Sequence, residues 1–251
     1  ARGVAGVVEG HASALHFPYI VHNAAAGQAS IAFGIKGCST TVAGQWSPFA
    51  ALQYAARLIQ KRQNEIFVVG GSDEISRFDE GMMMEEAYAG RCLSEGAASL
   101  ILESAEHACR RNARVYAEIE GFSITSSYYD GNIFESYKKC IDNTLSLARL
   151  TEKDIDLHIP CQFGKSLPDL KREAGIERIA DSQIIIGTLE SATAVINTMV
   201  GIVALNRGFA PCHDSRKGIY EKDFHTILVS GAALNGTYYS FILKKHHSRR
   251  V

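Results

Sequence analysis

The spacing of apolar positions changes along this chain, and the changes mark out alternating strands and helices. Residues 17–34 are rich in alanine after Asn23, which predicts a helix ended by Gly34 or Gly37. Residues 39–43 are rich in β-branched side chains and predict a short strand. Residues 47–61 predict a helix with Ser47 as its cap and Pro48 in its first turn. Residues 66–70 form an unbroken apolar run, the pattern of a strand buried on both faces. Another strand is expected at 96–103 and a helix at 104–111. At 115–121, Val115, Ala117 and Ile119 alternate with Tyr116, Glu118 and Glu120, which predicts a strand.

The second half repeats the alternation. Phe134, Tyr137, Ile141, Leu145 and Ala148 recur three or four apart and draw one apolar stripe along a helix over 133–150. Strands are expected at 155–159 and 184–186, helices at 167–174 and 189–206, and a closing pair of strands at 226–230 and 238–243. Strands alternating with helices predict an α/β fold with parallel sheets. Two halves, 1–122 and 123–251, are consistent with an internal pseudo-repeat.

Composition narrows the function classes. The 251 residues are 46% hydrophobic with a net charge of −1, and the basic residues are spread along the chain. That argues against a nucleic-acid groove. The basic run Lys244-Lys245-His246-His247-Ser248-Arg249-Arg250 reads as a solvated end. The longest apolar-rich helical stretch, 195–205, is interrupted by Asn197, Thr198 and Gly201, so no membrane span is expected. Six cysteines without C-x-x-C spacing suggest neither zinc nor a disulfide framework, but reduced thiols in a cytoplasmic protein. His213 with Asp214, and His246 with His247, lack a third ligand at metal spacing, so no metal and no cofactor are expected.

Four stretches occur in a telling order. They are Asn23-Ala24-Ala25-Ala26-Gly27-Gln28-Ala29-Ser30-Ile31, Val68-Val69-Gly70-Gly71-Ser72-Asp73-Glu74, Leu93-Ser94-Glu95-Gly96-Ala97-Ala98-Ser99-Leu100-Ile101-Leu102-Glu103, and Asn206-Arg207-Gly208-Phe209-Ala210-Pro211. Together with the strand, turn and helix around Gly44-Gln45-Trp46-Ser47, this order resembles the β-ketoacyl synthases. The resemblance implies a thiolase-like α/β fold with layered α/β/α/β/α architecture. Members of that family begin with a strand and crossover upstream of the segment matched by residues 1–17. The first strands of the N-terminal half are therefore expected to be missing.

The resemblance also assigns the chemistry. It places the family's nucleophilic cysteine at Gln45, with Trp46 as the neighbouring alternative register. The family's first histidine falls on Cys161, its lysine on Gln183, its second histidine on Thr188 and its aromatic gate on Leu234. A carboxamide cannot form a thioester, and the condensation needs both imidazoles for the developing charge. Gln at the nucleophile position resembles the chain length factors of type II polyketide synthases. These are silent relatives that pair with an active ketosynthase and shape the channel for a growing polyketide or polyene on acyl carrier protein.

Carried over, Gln45, Trp46, Phe49, Met83 and Leu234 would line the channel or the subunit interface. The expected partners are the active ketosynthase and, through the complex, acyl carrier protein. Trp46 and Phe49 are equally the residue types that fill core volume. Other readings are a malonyl-carrier decarboxylase or divergent condensing enzyme acting alone, and a scaffold with no role in the channel. Cys38 and Cys161 are expected to be inert thiols, since only Lys36 and Lys165 lie near them in sequence.

Overall fold

The computed structural model describes residues 19, 21–75, 93–127, 133–162, 174–214, 218–233 and 235–246. Helix α1 (Ala24–Phe33) ends at Gly34 in the left-handed conformation, as its sequence predicts, and none of its residues is buried. Helix α2 (Ser47–Gln60) leads into strand β1 (Ile66–Asp73), which pairs antiparallel with β2 (Gly96–Glu103). A short helix α3 (Ala105–Arg110) follows, capped by the Ser104 hydroxyl on the His107 N–H.

The second sheet has the order β3–β8–β7–β4, made of β3 (Glu118–Ser126), β4 (Leu157–Gln162), β7 (Thr226–Ala232) and β8 (Thr237–Lys244). Only the β4–β7 pair is parallel; β3–β8 and β7–β8 are antiparallel. A parallel pair needs a long crossover. Between β4 and β7 run α5 (Gln183–Ile186), α6 (Ala192–Arg207) and the small hairpin of β5 (Phe209–Pro211) and β6 (Ile219–Glu221). Helix α4 (Ile133–Ala148) joins β3 to β4.

The layers follow from what each helix covers. Helices α2 and α6 pack on each other, on β1–β2 from one side and on the second sheet from the other. Helix α4 covers the outer face of that sheet against β3 and β8, burying Tyr137, Ile141 and Leu145 of its predicted stripe. The order is thus β1–β2, then α2 and α6, then the four-stranded sheet, then α4. Strands β7 and β8 are enclosed on both faces, which their continuous apolar runs require. The outer face of β1–β2 carries no helix among the described residues, and Val68 and Ile101 are 54% and 63% exposed.

Several expectations change. Residues 39–43 are not a strand: they are exposed and find no ladder partner among the described residues. Strand β1 is buried on one face only, because α2 and α6 cover just one side of it. The strand expected at 115–121 lies at Glu118–Ser126, set by its pairing with β8. The boundary between 122 and 123 therefore falls inside β3. Residues 155–159 shift to Leu157–Gln162 in register with β7. Residues 184–186 are helical, since Asp181 accepts the Gln183 N–H to start a turn and Gly187 ends it at once. The helix expected at 189–206 begins only at Ala192. The β5–β6 hairpin had no sequence signal, and the helix expected at 167–174 lies outside the described residues but for Ala174.

The corner between β2 and α3 is fastened by one carboxylate. Glu103 takes two hydrogen bonds from the Arg111 guanidinium, at 2.9 and 2.5 Å, and lies 2.6 Å from the His107 ring. Arg111 foremost, with His107, holds its pKa down at about 2, below the usual 4.5. A depressed carboxylate adds stability that is present above its unfolded pKa and lost as pH falls through the folded value. The urea midpoint of the wild type is expected to drop between pH 4.5 and about 2, and Glu103→Gln to flatten that part of the profile. A variant that keeps the full acid drop removes Glu103 as its source.

Candidate functional site

The turn before α2 carries the strain of the site. Trp46 is the residue in front of the helix and has φ 54°, the left-handed region. For a bulky side chain this conformation is an outlier and costs about 1–3 kcal/mol. Its surroundings compensate. The indole Nε1–H donates to the Ala232 carbonyl at 2.9 Å, and the backbone N–H donates to the Glu190 carbonyl at 3.3 Å. Ser47, expected as the cap, is instead the first helical residue, with its N–H bonded to the Gly44 carbonyl. Gln45 lies one residue before the strained position and is half-buried.

Trp46 and Phe49 are both fully buried. Phe49 stacks on Tyr239 with ring centres 5.7 Å apart and meets Phe241 edge-on at 5.6 Å. Both side chains lie over Gly231 of β7, where a Cβ would sit 2.7 Å from the Phe49 ring. The two aromatics are thus packed against the floor that β7 and β8 provide. Met83 and Leu234 lie outside the described residues. A cleft of about 330 Å³ opens elsewhere, lined by Ala97, Ala98, Ile196, Met199, Phe209 and others, and none of Gln45, Trp46 and Phe49 borders it.

Beside this turn lies a buried polar network. Gln183 donates its Nε2–H to the Thr188 hydroxyl at 3.1 Å. The Asn197 amide donates to Cys161 Sγ at 3.0 Å and to the Pro160 carbonyl at 3.2 Å, and its Oδ1 accepts from the Ser182 hydroxyl. Thr193 Oγ1 accepts the Leu189 N–H at 3.0 Å and donates to the Leu189 carbonyl at 2.6 Å. Burial pushes the Cys161 thiol far above its ordinary pKa, and the Asn197 bond offsets only part of that. A thiol so held is protonated and a poor nucleophile.

Of the four positions singled out from sequence, Gln183 and Thr188 touch directly. Cys161 joins them through Asn197 and Ser182, the neighbour of Gln183. Gln45 joins through Trp46, whose N–H bonds Glu190 two residues beyond Thr188. The sequence reading missed Asn197, Ser182 and Thr193. For Asn197 a signal was there, as a polar residue that interrupts the otherwise apolar stretch 195–205. Cys38 is exposed, 3.7 Å from the Asn64 side-chain oxygen and outside this network.

Residues 6–108 match the family Beta-ketoacyl synthase, N-terminal domain. A 3-oxoacyl-[acyl-carrier-protein] synthase 2 of Coxiella burnetii is 24% identical, with 79% of this chain and 56% of that protein aligned. A β-ketoacyl synthase from Burkholderia phymatum superposes with TM-score 0.85 at 18% identity, over 98% of this chain and 72% of that one. The chain is similar to β-ketoacyl synthases over residues 6–108 and shares their fold. The ishigamide ketosynthase/chain length factor shares the fold with TM-score 0.74 at 18% identity, over 84% of this chain and 61% of that one. The chain spans about half the length of the curated proteins it matches.

Two outcomes follow for the ketosynthase-like site. Trp46→Ala empties a filled core position and is expected to cost about 3–5 kcal/mol, read from the urea unfolding curve. Iodoacetamide on the native protein is expected to label the exposed Cys38 and Cys109, and to reach the buried Cys140, Cys161 and Cys212 only after unfolding. Peptide mass spectrometry reads the pattern, and native labelling of Cys161 would mean that the network is open.

Proposed function

We propose that this chain is a catalytically silent, chain-length-factor-like subunit that pairs with an active ketosynthase and shapes the channel for its product. One observation carries the reading. The positions that the ketosynthase resemblance assigns to nucleophile, lysine and two histidines are Gln45, Gln183, Cys161 and Thr188. Three of these sit in a buried hydrogen-bond network whose side-chain donors are already paired with protein acceptors. Decarboxylative condensation needs a thiolate to carry the acyl group and donors aimed at the enolate. A carboxamide, a protonated thiol and a hydroxyl bonded to Gln183 offer neither. The histidine on β4, His158, bonds Tyr137 and Ser230 instead.

In this reading Gln45 and the turn at Trp46 border the channel or interface, and acyl carrier protein is met through the complex. The fold likeness to a ketosynthase/chain length factor is compatible with this role.

Co-expression with a ketosynthase encoded beside this chain tests the proposal by native mass spectrometry. A one-to-one complex, with acyl loading on the ketosynthase's cysteine alone, is the expected result. A stable homodimer that ignores the ketosynthase would overturn it. Release of carbon dioxide from malonyl-carrier protein by this chain alone, abolished by Gln45→Ala, would install the decarboxylase reading in its place.

A further inference from the structure

The site is held from outside its own segment. Asp73 is the last residue of β1, and its carboxylate reaches across to the start of α6. It accepts the Ser191 N–H at 2.9 Å on each oxygen and the Ala192 N–H at 2.7 Å. Ser191, the residue in front of α6, makes no side-chain capping bond of its own. Asp73 therefore supplies the cap from a neighbouring strand. An ionised acceptor on the open N–H groups of a helix N-terminus is among the stronger capping arrangements.

The clamp bears on the turn that carries the site. Its other side is fixed by Ser94, whose N–H bonds the Thr188 carbonyl at 3.1 Å and whose hydroxyl bonds the Ile186 carbonyl at 2.5 Å. Between the two clamps lies Glu190, whose carbonyl accepts the Trp46 N–H. The approach leaves no slack. A Cβ on Gly71 would sit 2.9 Å from the Pro48 ring and 3.0 Å from the Ser191 backbone, so β1 presses on the starts of α2 and α6 together. One line of contacts runs from Asp73 through Ser191 and Glu190 to Trp46 and on to Ala232.

We infer that Asp73 is the positioning residue of this site: its carboxylate sets where residues 188–192 lie, and through Glu190 it holds the left-handed turn at Trp46. The inference goes beyond the functional proposal, since it concerns the frame of the site and holds whether or not that site borders a channel.

The chain contains a single tryptophan, so its fluorescence reports on Trp46 alone. The test compares Asp73→Ala and Asp73→Asn with Asp156→Ala. Asp156 makes a similar clamp, accepting the N–H groups of His225 and Thr226 and pairing with Lys222, but touches nothing in the line to Trp46. Asp73→Ala, folded by circular dichroism, is expected to red-shift the emission and raise acrylamide quenching several-fold. Asp73→Asn keeps one acceptor oxygen and should fall between it and the wild type. Asp156→Ala should lower the unfolding midpoint and leave the emission in place.

A folded Asp73→Ala with wild-type emission and quenching overturns the inference. So does an Asp156→Ala that shifts the emission equally, since the effect is then general loosening. If Asp73→Ala does not fold, Asp73→Asn decides, and wild-type quenching in that variant overturns the inference.

Discussion

Where a helix is pressed between two sheets, its covered face leaves no water for a polar group. That constraint governs α6, and through α6 the rest of the site. Thr193, Asn197 and Thr198 lie on this helix without any exposure, so each must find its partner inside the protein. Thr198 bonds back to the Ala194 carbonyl of the turn below. Thr193 and Asn197 reach out of the helix to residues 161, 182 and 189. The polar pocket is thus the place where a buried helix discharges its hydrogen-bonding needs onto the end of β4 and the turn before α6.

The same arrangement decides what chemistry the pocket favours. The side chains bonded to Asn197 are the Cys161 thiol and the Ser182 hydroxyl, and the donors point at acceptors already present. A site preorganised for charge development keeps donors waiting for an oxyanion that is not yet there. Here they are spent on one another. The strained turn at Trp46 survives because the indole fills the junction of α2 with β7 and because Glu190 accepts its N–H. In this chain the left-handed turn presents an aromatic side chain inward to the core.

How much could be read in advance depended on whether a signal was local. The stripe of α4 and the apolar runs of β7 and β8 were plain in the sequence, because each needs only its own periodicity. Residues 66–70 were misread as doubly buried because covering the second face of β1 is a property of neighbours. Residues 39–43 have strand composition but no ladder, and propensity alone does not supply one. Residues 184–186 are three isoleucines that read as a strand, yet Asp181 and Gly187 turn them into a single helical turn. The positions Gln45, Cys161, Gln183 and Thr188 were singled out by resemblance and by no periodicity of the chain. Asn197 and Asp73 act through hydrogen bonds between residues far apart in the chain, and no pattern within one element reveals them.

The parallel pairing of β4 with β7 also sets an order of events as the chain is made. Leu157 must wait for Ile227, and Cys161 for Gly231, so β4 leaves the ribosome well before the strand that will flank it. Loop closure over so long a stretch is slow and its entropy must be paid first. Helix α4 and strand β3 emerge early, but among the described residues β3 pairs only with β8. The second sheet therefore cannot assemble from its first strands outward. Its central pair follows β3, β4 and α6 in the chain, so the inward faces of those elements are made before the strands that cover them.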